Sequence, residues 1–154
     1  MATKQEAIAA LDASYDKFRG NIAGLDEAAM TEVWLGTWSV EQLLAHMAGW
    51  YREMTGAFGR VAKGERPVPE GVDYSDADTW NAKFSQQSRR GKDALADFDA
   101  AFAAYRAQAD ALDGEKYGEE NGRPRIGNRL LQGSGIGHFE EHQGQLDDWL
   151  ATRK

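Results

Sequence analysis

The stretch GHFEEHQGQL, residues 137–146, carries two of the three histidines in this chain of 154 residues. His138 and His142 are four residues apart, a spacing that places both side chains on one face of a helix. Two imidazoles in that arrangement can share a metal ion, and Gln145 falls close to the same face, where it could contact substrate or orient a ligand. The alternative is that the two rings only cover a helix surface.

The third histidine, His46, lies seven residues after Ser39, on the border of the apolar stripe that includes Leu43. A residue in that position can be a core-edge imidazole that hydrogen-bonds to a hydroxyl or a carbonyl. All three histidines, however, fall on inward or border positions of two predicted helices. We therefore predict that His46, His138 and His142 bind one metal ion and leave positions open for water or substrate. Imidazole ligands suit Zn, Ni, Fe or Cu and do not choose among them.

Two carboxylates are candidates for proton transfer at this site. Glu53 lies two helical turns after His46 on the same stripe, and Glu141 is adjacent to His142 in the sequence. Either side chain could accept a proton during catalysis, and the alternative for both is a solvated surface group.

Aromatic side chains provide the predicted substrate pocket. Trp38, Trp50 and Trp80 could line a cleft that holds an apolar ligand, and Asn81 is the polar residue beside Trp80. The alternative is that these rings, at helical spacing, belong to the core.

Four amphipathic patterns predict the helices that position these residues. Thr3 and Ser39 each open a capping box, after which apolar residues recur every three or four positions, to Leu25 in the first helix and to about Ala62 in the second. Residues 63–74 contain two prolines and two glycines, which predicts a long crossover between the second and third helices.

The second half of the chain is less regular. A third helix, expected to be the longest, is predicted from about residue 75 to Leu112, with a local bend at Gly91. Residues 114–127 are rich in glycine and charge and predict a loop with a short strand or turn. The fourth helix begins either with Asn128 as N-cap or near Ile136, because glycines at 133, 135 and 137 weaken its entry.

Composition sets the boundaries of the interpretation. The helical patterns predict one all-α domain over residues 1–154, a four-helix bundle of the kind that holds metal sites on facing helices. A formal charge of -7 and a pI near 5.0 argue against nucleic acid as a partner.

The absence of cysteine excludes disulfides, thiolate ligands and a cysteine nucleophile. The chain shows neither a signal peptide nor a long apolar run, so we expect a cytoplasmic protein without membrane contact.

Four stretches together resemble the DinB-like superfamily and, within it, the ClbS/DfsB family: TKQEAIAALDASYDKFRGNIAGL, WSVEQLLAHMAGW, WNAKF and HFEEHQGQLDDWL. The last stretch is similar to the superfamily pattern H-x-x-x-H-x-G-Q at residues 138–145. The resemblance implies an up-down-down-up four-helix bundle with a histidine-rich metal site on the second and fourth helices. Superfamily members include metal-dependent thiol transferases and hydrolases. The glycine-rich GSGIG before His138 departs from the family pattern.

Three hypotheses for function follow from these observations. The first is a metal-dependent hydrolase that opens or hydrolyses a small electrophilic or toxic molecule, since a divalent ion lowers the pKa of its water. The second is a transferase that uses a low-molecular-weight thiol as a cofactor, because the chain has no cysteine of its own. The third is a ligand-binding or dimerising bundle without chemistry. A homodimer is compatible with all three.

Overall fold

A computed structural model gives the fold of residues 3–153, which are mostly helical, so the predicted all-α class is confirmed. A 3-10 turn (Gly114–Lys116) and a π-helical turn (Gln132–Ile136) supplement the helices. No helix within residues 3–153 has both the length and the apolar character needed to cross a membrane. The elements are α1 (Lys4–Ala23), α2 (Glu27–Thr31), α3 (Val40–Ala62), α4 (Ala77–Ser85), α5 (Gly91–Ala111), β1 (Glu119–Glu120), β2 (Arg123–Pro124), α6 (Ile126–Leu131) and α7 (Gly137–Thr152).

The backbone contacts divide the chain into two compact units. The discontinuous unit contains residues 3–25 together with residues 112–153, and the continuous unit contains residues 26–111. The first therefore includes α1, the β-hairpin, α6 and α7, whereas the second includes α2 to α5. That residues 1–154 form a single domain stays a prediction.

Helix α3 organises the continuous unit and begins where the sequence predicts. The Ser39 hydroxyl accepts from the Gln42 backbone N–H at 3.4 Å, and the Gln42 side chain accepts from the Ser39 backbone N–H at 2.9 Å. This reciprocal pair is the capping box expected from the sequence. The helix ends at Ala62, as predicted, and its 23 residues make it longer than α5, which has 21. The expectation that the third helix would be the longest is therefore wrong.

Aromatic packing joins α3 to α5 and α4. Tyr51 of α3 is fully buried and stacks on Tyr105 of α5 with 5.2 Å between ring centroids. On the α4 side, Phe84 lies against Gly49, where an added Cβ atom would collide with the phenyl ring. Glycine at position 49 therefore allows α4 to approach the backbone of α3.

The predicted third helix is two helices. Helix α4 ends at Ser85 and α5 begins at Gly91, which has a φ of 46°. This left-handed conformation is readily available to glycine and cannot continue a helix. The Gly91 N–H donates to the buried carboxylate of Glu41 at 2.6 Å, so a side chain of α3 caps the start of α5. Gly91 thus separates two helices where the sequence analysis expected a bend.

The long crossover is confirmed and lies between α3 and α4. Arg60 fastens it, because its Nε and Nη2 atoms donate to the Pro67 carbonyl oxygen at 2.9 Å and 2.7 Å. Two proline residues, Pro67 and Pro69, prevent this segment from continuing the helix.

Helix α1 organises the discontinuous unit and packs against α6, the π-helical turn and α7. Its capping box joins Thr3 and Glu6, as the sequence predicts, and it ends at Ala23, two residues before the predicted Leu25. Phe18 is fully buried and packs against Phe139 of α7, with ring centroids 5.6 Å apart. This contact fixes α7, which carries two of the three histidines.

The predicted fourth helix consists of α6, a π-helical turn and α7; of its two predicted starts, Asn128 as N-cap is wrong, whereas α7 itself begins at Gly137, next to Ile136. Helix α6 starts at Ile126 with Arg125 at its N-cap, and Asn128 lies within it. The Asn128 side-chain oxygen instead accepts from the Gly118 N–H at 2.6 Å. Helical backbone then continues through residues 132–136 as a π-helical turn and leads directly into α7 at Gly137. The glycines therefore do not fray the helix, because a π-helical turn accommodates them.

Candidate metal centre

His138 and His142 lie one turn apart on α7 and face each other as the spacing predicts. Their ring centroids are 4.6 Å apart, with an angle of 54° between the ring planes. One nitrogen of each ring lies within 4.8 Å of a nitrogen of the other, a separation that two ligands of one ion can bridge. The sequence prediction that these two residues reach a common point is therefore supported within this unit.

Gln145 orients the ring of His142. The His142 Nδ1 and the Gln145 Oε1 are 2.7 Å apart, and because an amide oxygen only accepts, Nδ1 carries the proton. A neutral imidazole protonated at Nδ1 presents the lone pair of Nε2. Gln145 thus selects the tautomer in which Nε2 is the candidate ligand atom, and residues that support a metal ligand usually act in this way.

His142 is only 5% exposed, and burial lowers its pKa below the ordinary value of 6.5. The hydrogen bond to Gln145 and the charge of Glu141 act in the opposite direction but do not outweigh burial. The imidazole is therefore neutral at neutral pH, the state that a metal ligand requires.

The turn before α7 sets the position of these histidines. Residues 132–136 form a π-helical turn, and a Cβ atom added at Gly137 would lie 2.6 Å from the Gln132 carbonyl oxygen. Glycine is therefore required where the widened turn closes on the following helix. Such turns occur often at functional sites, and this one shifts the register of all residues after it. The GSGIG sequence that departs from the family pattern corresponds to this turn.

His46 lies in the continuous unit, in the second turn of α3, where it is 4% exposed. The indole of Trp38 packs on its imidazole with 4.8 Å between ring centroids. Trp38 precedes the Ser39 capping box, so the start of α3 fixes the position of the indole. The inward position predicted for His46 is confirmed, and Trp38 restricts the orientation of its ring.

Trp50, Trp80 and Asn81, three of the predicted substrate contacts, lie together in the continuous unit. The Trp50 Nε1–H donates to Asn81 Oδ1 at 2.7 Å, and the rings of Trp50 and Trp80 are 6.2 Å apart. Tyr74 and Phe84 complete this aromatic cluster, each in a T-shaped arrangement with Trp50. Trp38 makes its ring contact with His46 instead. Whether any of these residues binds substrate stays a prediction.

The two candidate carboxylates have different environments. Glu53 is partly buried and accepts a 2.8 Å hydrogen bond from the Tyr74 hydroxyl. Burial of the Tyr74 hydroxyl, its hydrogen bond to Glu53 and the negative charge of Glu53 raise the pKa of Tyr74 to about 12. Glu141 is exposed on α7. Sequence spacing could not indicate Tyr74, because it comes from the crossover, where no periodicity applies.

A helical fold and a buried histidine supported by an amide define a DinB-like helical bundle protein with a candidate metal centre. The family model for the mycothiol maleylpyruvate isomerase N-terminal domain matches residues 3–125, and the chain belongs to that family. The matched range includes His46 but ends before α6, so it does not include His138 or His142. No curated protein matches the chain.

Solved structures with similar folds confirm the predicted resemblance and the helical bundle class. The colibactin self-resistance protein ClbS, in complex with a dsDNA, is 18% identical with a TM-score of 0.80, covering 96% of this chain and 95% of its own. DfsB, described as a sibling lethal factor precursor, is 14% identical with a TM-score of 0.78, covering 100% and 98%. A protein from Streptococcus pneumoniae is 13% identical with a TM-score of 0.80, covering 98% and 92%. At these identities the likeness establishes the fold alone.

One sequence prediction must be corrected. The prediction from net charge that nucleic acid is not a partner is wrong, because ClbS, which has this fold, forms a complex with a dsDNA. Net charge is a sum over the whole surface and does not describe local potential. In this chain Arg89, Arg90, Arg123 and Arg129 are all exposed in spite of the overall charge of -7.

Proposed function

We propose that this protein is a metal-dependent hydrolase that opens or hydrolyses a small electrophilic or toxic molecule. The observation that carries the proposal is the state of His142, a buried neutral imidazole whose Nδ1 is held by Gln145. A histidine that only fills a core has no need of a fixed tautomer, whereas a metal ligand does. The self-resistance description of ClbS supports a protective role.

His46, His138 and His142 are the proposed ligands, since each offers a ring nitrogen. Their donor set fits Zn, Ni or Fe, and a three-histidine set leaves positions for water and substrate. A divalent ion held there supplies Lewis-acid polarisation and lowers the pKa of water.

The remaining predicted residues have separate tasks in this proposal. Glu53 accepts and returns a proton, with the Tyr74 hydroxyl as its hydrogen-bond donor at 2.8 Å. Glu141, next to His142 and exposed, is the alternative proton acceptor. Substrate contacts are assigned to Trp38, Trp50, Trp80, Asn81 and Gln145.

A second candidate function is a metal-dependent transferase that uses a low-molecular-weight thiol. The description of the matching family, which names mycothiol, favours it. The chain contains no cysteine, so the thiol must be a cofactor. A metal ion would hold that thiol as its thiolate, the nucleophilic form.

The two functions are tested with untagged protein, stripped with a chelator and reloaded with Zn, Ni or Fe. Consumption of a small electrophile such as an epoxide is followed with and without added thiol. We expect turnover in the loaded protein without thiol, and loss of turnover in His142→Ala. Turnover only with thiol would establish the transferase. A protein that binds none of the three metals would overturn both functions and leave a non-catalytic bundle.

A further inference from the structure

A cleft of about 670 Å³ lies in the discontinuous unit, beside the β-hairpin and the start of α6. Four basic side chains and two carboxylates line it, so it has a formal excess of two positive charges in a chain whose net charge is -7. The lining side chains that determine this charge are Lys116, Arg123, Arg125, Arg129, Glu115 and Glu120. An acidic protein that concentrates positive charge in one cleft has a local preference for anions.

Backbone carbonyl oxygens, which are uncharged, orient the guanidinium groups of two of these arginines. Arg125 Nη1 donates to the Glu115 carbonyl oxygen at 2.6 Å, and Arg129 Nη1 donates to the Pro124 carbonyl oxygen at 3.0 Å. A carbonyl orients a guanidinium without cancelling its charge, in contrast to a carboxylate. The buried Nε of Arg125 has no hydrogen-bond partner within residues 3–153. Both guanidinium groups are therefore oriented in advance and keep their positive charge for a ligand.

The backbone around the cleft is also fixed. Asn121 and Gly122 have φ values of 52° and 77°, the conformation of a tight two-residue hairpin turn. This turn sets the register in which Glu120 pairs with Arg123. At the other end of the hairpin the Arg125 N–H donates to the Gly118 carbonyl oxygen at 2.8 Å. The positions of Arg123 and Arg125 thus follow from backbone hydrogen bonds.

We propose that this cleft binds phosphate groups. Planar guanidinium groups match phosphate oxygens in geometry as well as charge, and two oriented arginines with Arg123 and Lys116 surround a volume larger than one phosphate. The ligand is therefore a molecule with two or more phosphates, either a small phosphorylated compound or the backbone of a nucleic acid. This site is independent of the proposed metal centre.

The experiment compares two double variants with the same change in charge. Arg123→Gln with Arg129→Gln removes two charges from the cleft, and Arg89→Gln with Lys92→Gln removes two exposed charges from the other unit. The probes are inorganic pyrophosphate and a DNA duplex of about 20 base pairs. Binding is measured by calorimetry and by the backbone amide shifts of Gly118, Asn121 and Gly122. Circular dichroism verifies that both variants fold.

We expect the cleft variant to weaken binding at least about tenfold and the control variant to change it less than about twofold. If pyrophosphate shows this pattern and the duplex does not bind, the ligand is a small phosphorylated compound. If the duplex shows it, and the cleft variant reduces the salt dependence of its affinity by about two counterions, the ligand is a nucleic-acid backbone. Equal weakening by both variants, or no binding of either probe to the wild-type protein, would overturn the proposal.

Discussion

Side-chain hydrogen bonds have different roles in the histidine pair of α7 and in the aromatic cluster of the continuous unit. Gln145 holds one ring nitrogen of His142, and the other nitrogen is the proposed ligand atom. In the aromatic cluster the Trp50 N–H is used by Asn81 and the Tyr74 hydroxyl by Glu53. The first region prepares an atom for a ligand, whereas the second directs its polar atoms to each other. We therefore expect substitutions in the first to change metal affinity, and substitutions in the second to leave metal affinity unchanged and to change stability and substrate binding.

The largest effect is expected at the proposed ligands. Each of the three alanine variants, at His46, His138 or His142, should weaken metal affinity by more than the ~10 to 100-fold that is typical of a residue supporting a ligand. The double variant His46→Ala with His138→Ala should cost much less than the two single losses added, because ligands of one ion act as a unit. Competition with a chromophoric chelator measures the affinities of the wild-type protein and of these four variants.

Asn81→Ala provides the matched control from the aromatic cluster and should leave metal affinity unchanged. If His46→Ala left the affinity unchanged while His138→Ala abolished it, α3 would contribute no ligand. The histidine pair would then be an adventitious chelate, and both proposed enzyme functions would be withdrawn.

An intermediate effect is expected at Gln145. Gln145→Ala should weaken metal affinity by ~10 to 100-fold, because His142 loses the acceptor that fixes its tautomer. Gln145→Glu keeps an acceptor at Nδ1 and should restore most of the affinity. Gln143→Ala is a suitable control, since Gln143 bonds to Asp147 on the same helix. A loss of affinity in Gln143→Ala as large as in Gln145→Ala would show that the effect is general damage to α7.

The sequence predicted these two regions to different degrees. Helical spacing placed His138 and His142 on one face, and the capping box at Ser39 fixed the register of α3 and the inward position of His46. These features depend on interactions between residues three or four apart, so they are visible in a single sequence. The Asn-Gly pair at 121–122 was an equally local signal for the hairpin that the sequence analysis left unresolved.

Long-range contacts account for what the sequence did not predict. The break before α5 depends on a hydrogen bond between Gly91 and Glu41, which are 50 residues apart, and the side chain of Asn128, predicted as an N-cap, instead accepts a hydrogen bond from Gly118. The π-helical turn follows no spacing rule, since isolated glycines normally weaken a helix. Tyr74 reaches Glu53 from an irregular loop, and the basic cleft combines charged side chains from the 3-10 turn, both strands of the hairpin and α6. Tertiary contacts decide each of these features.

A smaller effect, on stability, is expected in the aromatic cluster. Asn81→Ala removes the acceptor for the Trp50 N–H and should lower the free energy of unfolding by about 1 kcal/mol. Urea denaturation followed by tryptophan fluorescence measures the change. Asn81→Asp keeps an acceptor oxygen and should be closer to wild type. Because Asn81 is also a proposed substrate contact, we expect Asn81→Ala to lower turnover of the metal-loaded protein as well, and unchanged turnover would remove Asn81 from the substrate site.

A further effect on stability concerns pH and returns to His142. Because burial lowers the pKa of His142 below 6.5, the unfolded chain binds this proton at a higher pH than the folded protein does. Unfolding is therefore favoured as pH falls below 6.5. The contribution of neutral His142 to the free energy of unfolding is fully present above pH 6.5, and below it this free energy falls with a slope of at most about 1.4 kcal/mol per pH unit. Metal-free protein should show this slope in urea denaturation between pH 7 and pH 5, and His142→Gln should reduce it.

The same titration sharpens the comparison at Gln145. The hydrogen bond from Gln145 raises the pKa of His142 against the larger influence of burial, so Gln145→Ala should shift the titration of His142 to still lower pH. The chemical shift of the His142 Cε1 proton reports this directly in metal-free protein. A midpoint at or above 6.5 in the wild-type protein would contradict this prediction, because the effects of Gln145 and Glu141 on the pKa would then equal or exceed the effect of burial.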